Sequence, residues 1–290
     1  MSEIKKIGVL GAGMMGADIA LSCALAGHEV LIKEINMDLA EAGHKRIVSS
    51  LEKWVSKGRL TVDEQGIKKV GEAITPTDSF DGFEDVDLVI EAVFESIEVK
   101  AENFSALEKI CKPSCIIASN TSSISITKLG ACFSDASRKA QFIGMHFFSP
   151  AVIMKLVEVI SGEETSPETA DAVCNFCESI GKEPVRVVDC CGFVVNRILC
   201  AIDNEAIRLY EEGIASPEDI DKACMLGLGH PIGPFALMDQ TANDLNIKIG
   251  KILQEAYGDR FRPRPAMVKK VDAGHLGRKT GKGWLDYGKK

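Results

Sequence analysis

Gly11-Ala12-Gly13-Met14-Met15-Gly16 constrains this chain more than any other stretch. GxGxxG alone is weak, because glycines recur by chance. Here the alternating apolar run Lys6 to Leu10 precedes it and a small-residue helical pattern, Ala17 to Ala26, follows. His28 to Lys33 then reads as a second strand, and an acid, Glu34, stands at its end, eighteen residues past Gly16. That context is the dinucleotide fingerprint. The first glycine permits the tight turn, the second lets backbone approach a pyrophosphate, and the third lets helix and strand pack closely. The phosphates would then meet the free N–H groups of the helix start. Glu34 should accept from the adenosine ribose hydroxyls and repel a 2′-phosphate, so NAD(H) is expected over NADP(H). Strand alternation turns Lys33 to the other face.

The pattern continues as short apolar runs suited to buried parallel strands, at Asp87 to Ala92, Cys115 to Ser119 and Phe142 to Phe148. Helical patterns lie between them, notably Ser96 to Ile110. This alternation predicts a Rossmann-type, doubly wound, mainly parallel sheet. Asn36 to Lys69 is too long and charged for an ordinary crossover and predicts a protruding helical hairpin. Strand signals stop near residue 190. Asn196 to Glu212 reads as a long helix closed by Gly213, and Ser216-Pro217-Glu218-Asp219 as a helix start with a cap and early acids. The expected division is a nucleotide-binding domain over 1–189 and an all-α domain over 190–290.

Composition narrows the function. The net charge of −8 argues against a general nucleic-acid or membrane-surface binder, while leaving room for a local basic patch. No apolar stretch has the length of a membrane span, and no secretory pattern opens the chain, so the expectation is cytoplasmic. Ten cysteines include one CxxC (Cys174, Cys177), one CxxxC (Cys111, Cys115) and the adjacent Cys190 and Cys191, and the five histidines are dispersed. Without a second matching pair, reduced thiols are expected and no metal.

Ligands of such sheets lie beyond the carboxyl ends of the strands. The segments there are Glu91 to Glu95, Ser119 to Ser123 and Met145 to Pro150, and His146 is the only histidine among them. Met154 to Ile160 reads as a further strand, and folding it back would bring Glu158 against His146. The residues alone leave a catalytic and a structural His146 equally open.

ASNTSS, GMHFF-x-P, MKLVEVI, GFVVNR, HPIGP and GRKTGKG, in this order, resemble the 3-hydroxyacyl-CoA dehydrogenase family over essentially the whole chain. Within it the chain is most similar to bacterial 3-hydroxybutyryl-CoA dehydrogenases. The resemblance implies NAD-dependent hydride transfer between a short-chain 3-hydroxyacyl thioester of the L series and its 3-keto form. It implies His146 as general base and acid, Glu158 holding the other imidazole nitrogen, Asn196 orienting base or thioester, and Ser122 beside the reacting oxygen. It places Glu95, Lys100, Ser122, Ser149 and Lys279 at cofactor positions, with Ser50 and Lys57 toward CoA. It also implies a homodimer through the helical domain. From Asn36 to Lys69 seven Lys and Arg stand against five acids, a local excess that suits an anionic CoA. Three positions depart from the pattern: Glu34 stands for the commoner Asp, Ser149 for Asn and Cys191 for Pro. Two other readings stay open, a dehydrogenase of a free hydroxy or sugar acid and a non-enzymatic NAD-binding redox sensor.

Overall fold

A computed structural model describes residues 4–288. They fall into two compact units, divided in the chain between Cys190 and Cys191. In the first unit β1 (Lys6–Leu10), α1 (Met14–Leu25), β2 (Glu29–Lys33), α2 (Met37–Ser56), α3 (Glu64–Glu72), β3 (Ile74–Thr77) and β4 (Leu88–Glu91) follow in order. They are succeeded by α4 (Ile97–Ile110), β5 (Ile116–Ser119), α5 (Ile126–Gly130), α6 (Ala136–Ala140), β6 (Phe142–Phe147), β7 (Leu156–Ser161), α7 (Pro167–Ser179) and β8 (Glu183–Val188). The strands form one sheet of order β3-β2-β1-β4-β5-β6-β7-β8. Every neighbouring pair is parallel except β6 and β7, which are antiparallel. The strand order runs outward both ways from β1 and β4, as the doubly wound reading requires.

Both sheet faces are covered, which is why the central strands read as unbroken apolar runs. Ile7, Val9, Ile143, Met145, Val157 and Val159 share a core with α1, α2 and α7. On the opposite face Phe104 of α4 and Phe133 stack against Phe142, with ring centroids 5.1 and 5.2 Å from it. His146 and Glu158 alternate onto this second face.

Two strands lie outside the sequence reading. β3 and β8 are the sheet's edges, and each carries a proline, Pro76 and Pro184. Proline lacks a ladder donor and survives in a sheet chiefly at its edge. The same residue that hides these strands from a propensity reading explains their position.

The expectation that the helical hairpin protrudes needs correction. α2 and α3 form, but α2 does not stand clear of the sheet. Ala40, Gly43, Ile47 and Leu51 make a buried stripe at helical spacing, and Gly43 lies so close to the glycine turn that a Cβ there would meet Ala12 Cβ at 2.3 Å. The charges lie on the remaining face, so the segment is an amphipathic layer of the domain.

The second unit is helical: α8 (Val195–Glu211), α9 (Pro217–Gly227), α10 (Pro234–Thr241), α11 (Asn243–Tyr257) and α12 (Pro265–Asp272). Ser216 caps α9 and Pro217 takes its first position, while Gly213 closes the turn after α8 in the left-handed conformation. Its core gathers Ile207, Ile220, Phe235, Met238, Met267 and Trp284. Two buried aspartates organise it. Asp221 accepts from the first N–H groups of α10, at Phe235 and Ala236. Asp239 accepts from the N–H groups of Trp284 and Leu285 and from the Tyr287 hydroxyl, pinning the last described residues.

Candidate active site

The glycine turn is built for a phosphate. Gly11 has φ +88, where side-chain residues are strained, and a Cβ there would lie 2.7 Å from the Ala92 carbonyl oxygen. A Cβ on Gly16 would lie 1.9 Å from Gly11 O, whereas one on Gly13 would meet nothing within 4 Å. The first and third glycines are thus consumed by packing, and the second faces open space. Gly13 caps α1 without a side-chain hydrogen bond, and the first turn carries no acid to compete with an anion. Beside the turn lies a cavity of about 480 Å³ bounded by Gly11, Gly13, Glu34, Ile35, Phe94 and Val99, among others. Its size and its acid fit the adenosine half of a dinucleotide.

Glu34 is more engaged than its position suggests. One carboxylate oxygen accepts from Ala12 N–H at 2.7 Å and the other from Ile35 N–H at 3.2 Å. Its arm reaches back and clasps the turn, so ribose hydroxyls would share an oxygen already holding the loop. Arg46 of α2 donates to the Ala12 carbonyl at 2.8 Å from the other side. Against the strand-alternation expectation, Lys33 borders the same cavity as Glu34, which lies just past the end of β2, and its ammonium sits 4.5 Å from the Phe80 ring centroid. Burial lowers the Lys33 pKa, opposed by Glu34 and Asp78.

At the ends of β4 and β5 lies a charged cluster. Lys100, 1% exposed, donates to Glu91 at 2.6 Å and pairs with Glu95 at 3.1 Å. Glu91, fully buried, also accepts from Val93 N–H and the Ser119 hydroxyl. Glu95 accepts from the Thr121 hydroxyl, Ser122 N–H and the Ser123 hydroxyl. Burial works to raise the Glu95 pKa, but Lys100 and the hydroxyl donors outweigh it and hold the carboxyl below its usual range. Among the expected residues Glu95, Lys100 and Ser122 are therefore brought together. Glu91, central to the group, was missed as a site residue; its place at a strand end was its only signal.

His146 and Glu158 are register partners across β6 and β7. Side chains directly opposite on an antiparallel pair stand about 5 Å apart at Cβ. His146 Nδ1 lies 2.8 Å from Glu158 Oε2, both residues buried. The β6–β7 connection is tethered twice: Asp18 of α1 accepts from Ala151 N–H at 3.1 Å, and Lys182 donates to Ala151 O at 2.5 Å and Met154 O at 3.1 Å. Asp18 and Lys182 were also missed, since nothing local distinguishes them. Ser149, before the cis bond to Pro150, has its hydroxyl 4.0 Å from Met14 Sδ at the start of α1. Met14 is largely exposed and Met15 packs partly into the core.

On α2 and its C-cap, Arg46, Ser50, Lys53 and Lys57 recur at i, i+4, i+7 and i+11, the spacing of one helix face. In the second unit Asn196 lies on the first turn of α8, after Gly192 and Phe193, both at positive φ. Lys279 is paired there with Asp244, at 2.7 Å and 2.9 Å to its two oxygens. The ten cysteines form no disulfide; Cys174 and Cys177 are core residues of α7.

Residues 6–190 match the family model described as the 3-hydroxyacyl-CoA dehydrogenase NAD binding domain, and residues 192–287 that of the C-terminal domain. The chain is 44% identical over 289 residues, 99% of each sequence, to a probable 3-hydroxybutyryl-CoA dehydrogenase of Bacillus subtilis. It is 40% identical over 285 residues, 98% of this chain and all of the other, to the 3-hydroxybutyryl-CoA dehydrogenase of Clostridioides difficile. The crystal structure of (S)-3-hydroxybutyryl-CoA dehydrogenase from Ralstonia eutropha superposes with a TM-score of 0.92 at 42% identity, covering 99% of this chain and all of that one.

Proposed function

This chain belongs to the 3-hydroxyacyl-CoA dehydrogenase family and is an NAD-dependent oxidoreductase, and from that premise we propose that it interconverts L-3-hydroxybutyryl-CoA and acetoacetyl-CoA with His146 as acid and base. The observation that carries the reading is the buried His146–Glu158 pair, on the sheet whose carboxyl edge holds the glycine turn. Bound NAD+ supplies the acceptor for the hydride leaving C3. His146 Nε2 takes the 3-hydroxyl proton, because Nδ1 is committed to Glu158. The carboxylate fixes the tautomer and stabilises the imidazolium that forms. In reduction the imidazolium returns the proton to the carbonyl oxygen. Ser122 donates to that same oxygen, and Asn196 orients the thioester.

The glycine turn, Met14, Met15, Glu34, Glu95 and Ser149 border the cofactor, and Lys279 is a further contact. The basic face of α2, with Ser50 and Lys57, takes the CoA phosphates. That face favours a CoA thioester over a free hydroxy acid. Residues 1–189 then serve as the cofactor domain and 190–290 as the substrate and dimerisation domain. The second unit exposes Ile198 and Ile202 one turn apart on α8 and Leu226 and Leu228 at the end of α9, an apolar surface suited to pairing in a homodimer. No helix among the described residues is long and apolar enough to cross a membrane.

The test is loss of NADH absorbance on mixing protein with acetoacetyl-CoA, with His146→Gln alongside. Rapid loss abolished in the variant is expected. No loss in protein shown to bind NADH would overturn the substrate assignment, and an unimpaired variant would overturn the role of His146.

A further inference from the structure

The cluster at the ends of β4 and β5 is too costly to be there for stability. Lys100 and Glu91 are taken from water entirely while Glu95 stays partly exposed, and such buried pairs stabilise a fold no better than apolar packing does. What the cluster delivers is geometry. Glu91 is fixed on a central strand and anchored by Val93 N–H and the Ser119 hydroxyl. It locates the Lys100 ammonium, and Lys100 locates the Glu95 carboxylate. One Glu95 oxygen then collects three donors from consecutive residues, Thr121, Ser122 and Ser123. Three donors converging on one oxygen set the path of the turn that carries the Ser122 side chain. The Lys100 charge is spent between two carboxylates, which leaves it poorly placed to serve a ligand directly.

We propose that Glu91 and Lys100 are positioning residues, which hold Glu95 so that it fixes the Thr121–Ser123 turn and aims the Ser122 hydroxyl at the reacting oxygen. The inference rests on the reading of Ser122 given above. It recasts Lys100 from a cofactor contact into a residue that acts through the turn, and it adds Glu91, which no local pattern marks as functional.

The experiment is a double-mutant cycle on turnover of acetoacetyl-CoA with NADH. Lys100→Met and Glu91→Gln are each measured alone and in the Ser122→Ala background, with NADH affinity followed by fluorescence. Displacing a catalytic group by about 1 Å can cost on the order of a hundredfold, so kcat should fall between about tenfold and a hundredfold in each single variant, with NADH affinity and KM little changed. In the Ser122→Ala background neither substitution should lower kcat further, because its effect is transmitted through that hydroxyl. Additive losses would overturn the proposal, and so would weakened NADH binding with kcat intact, which would return Lys100 to direct cofactor contact. If Lys100→Met does not fold, Ser119→Ala removes one anchor of Glu91 and must show a smaller loss with the same non-additivity. The wild-type rate on acetoacetyl-CoA tests the reaction assignment separately: an inactive wild type defeats that assignment, whereas an active wild type with additive variants defeats only this one.

Discussion

Replacing Asp203 by Asn should stabilise the protein, and increasingly so as pH rises. Asp203 lies on α8 two turns beyond Asn196, 6% exposed. Its Oδ1 has no hydrogen-bond partner among the described residues. It borders a cavity of about 20 Å³ with Asn196, Cys200, Asn204 and Asn246, room for one water. Burial pushes its carboxyl well above the usual range, and the neighbouring Asp221 adds to the effect. In the unfolded chain the group ionises near 3.9. The folded state keeps its proton to higher pH, so the group's contribution is fully present below that value and is lost as pH rises toward the folded pKa. Each unit of difference costs about 1.4 kcal/mol. An unpaired buried group costs about 1–3 kcal/mol and more when it is charged; the neutral amide escapes the charged part of that cost, which sets a gain on the order of 1–3 kcal/mol at neutral pH. At about 2–4 °C per kcal/mol for a chain of this order of length, Tm should rise by roughly 2–12 °C. Calorimetry of cofactor-free wild type and Asp203→Asn at pH 5 and pH 8 reads this directly. The gain should be larger at pH 8. An equal difference at both pH values, or a less stable variant at pH 8, would refute the argument.

Two further substitutions probe the cofactor site. Glu34→Ala removes both the repulsion of a 2′-phosphate and the bond to Ala12 N–H, so NADH binding should weaken while NADPH gains relative to it; an unchanged ratio of the two dissociation constants would count against Glu34 as the discriminating residue. Gly43→Ala would set a Cβ against Ala12 at 2.3 Å and should destabilise the fold by about 1–3 kcal/mol while weakening NADH binding, measured by thermal unfolding and fluorescence titration; a neutral outcome would mean that α2 does not brace the glycine turn.

Features whose causes are local were legible in the chain. The glycine turn, the acid at the end of β2, the helix start at Ser216-Pro217 and the unbroken apolar runs of the central strands each state their structure in consecutive residues, because turn sterics, capping and two-sided burial act over a few positions. His146 and Glu158 could be suspected as neighbours, since a short return strand brings positions symmetric about its turn together; which residues face each other was decided by the register of β6 and β7. Tertiary structure alone settled the rest. Pro76 and Pro184 masked two strands that only their edge positions permit. The face of α2 that meets the sheet became visible only once Gly43 lay against Ala12. The joining of Glu91, Lys100 and Glu95 to the Ser122 turn, the anchoring of the β6–β7 connection by Asp18 and Lys182, and the burial of Asp203 without a partner depend on segments brought from separate parts of the chain. A side chain's charge and shape are written at its own position, but the partner that makes the charge useful, or its absence costly, exists only when the chain has closed around it.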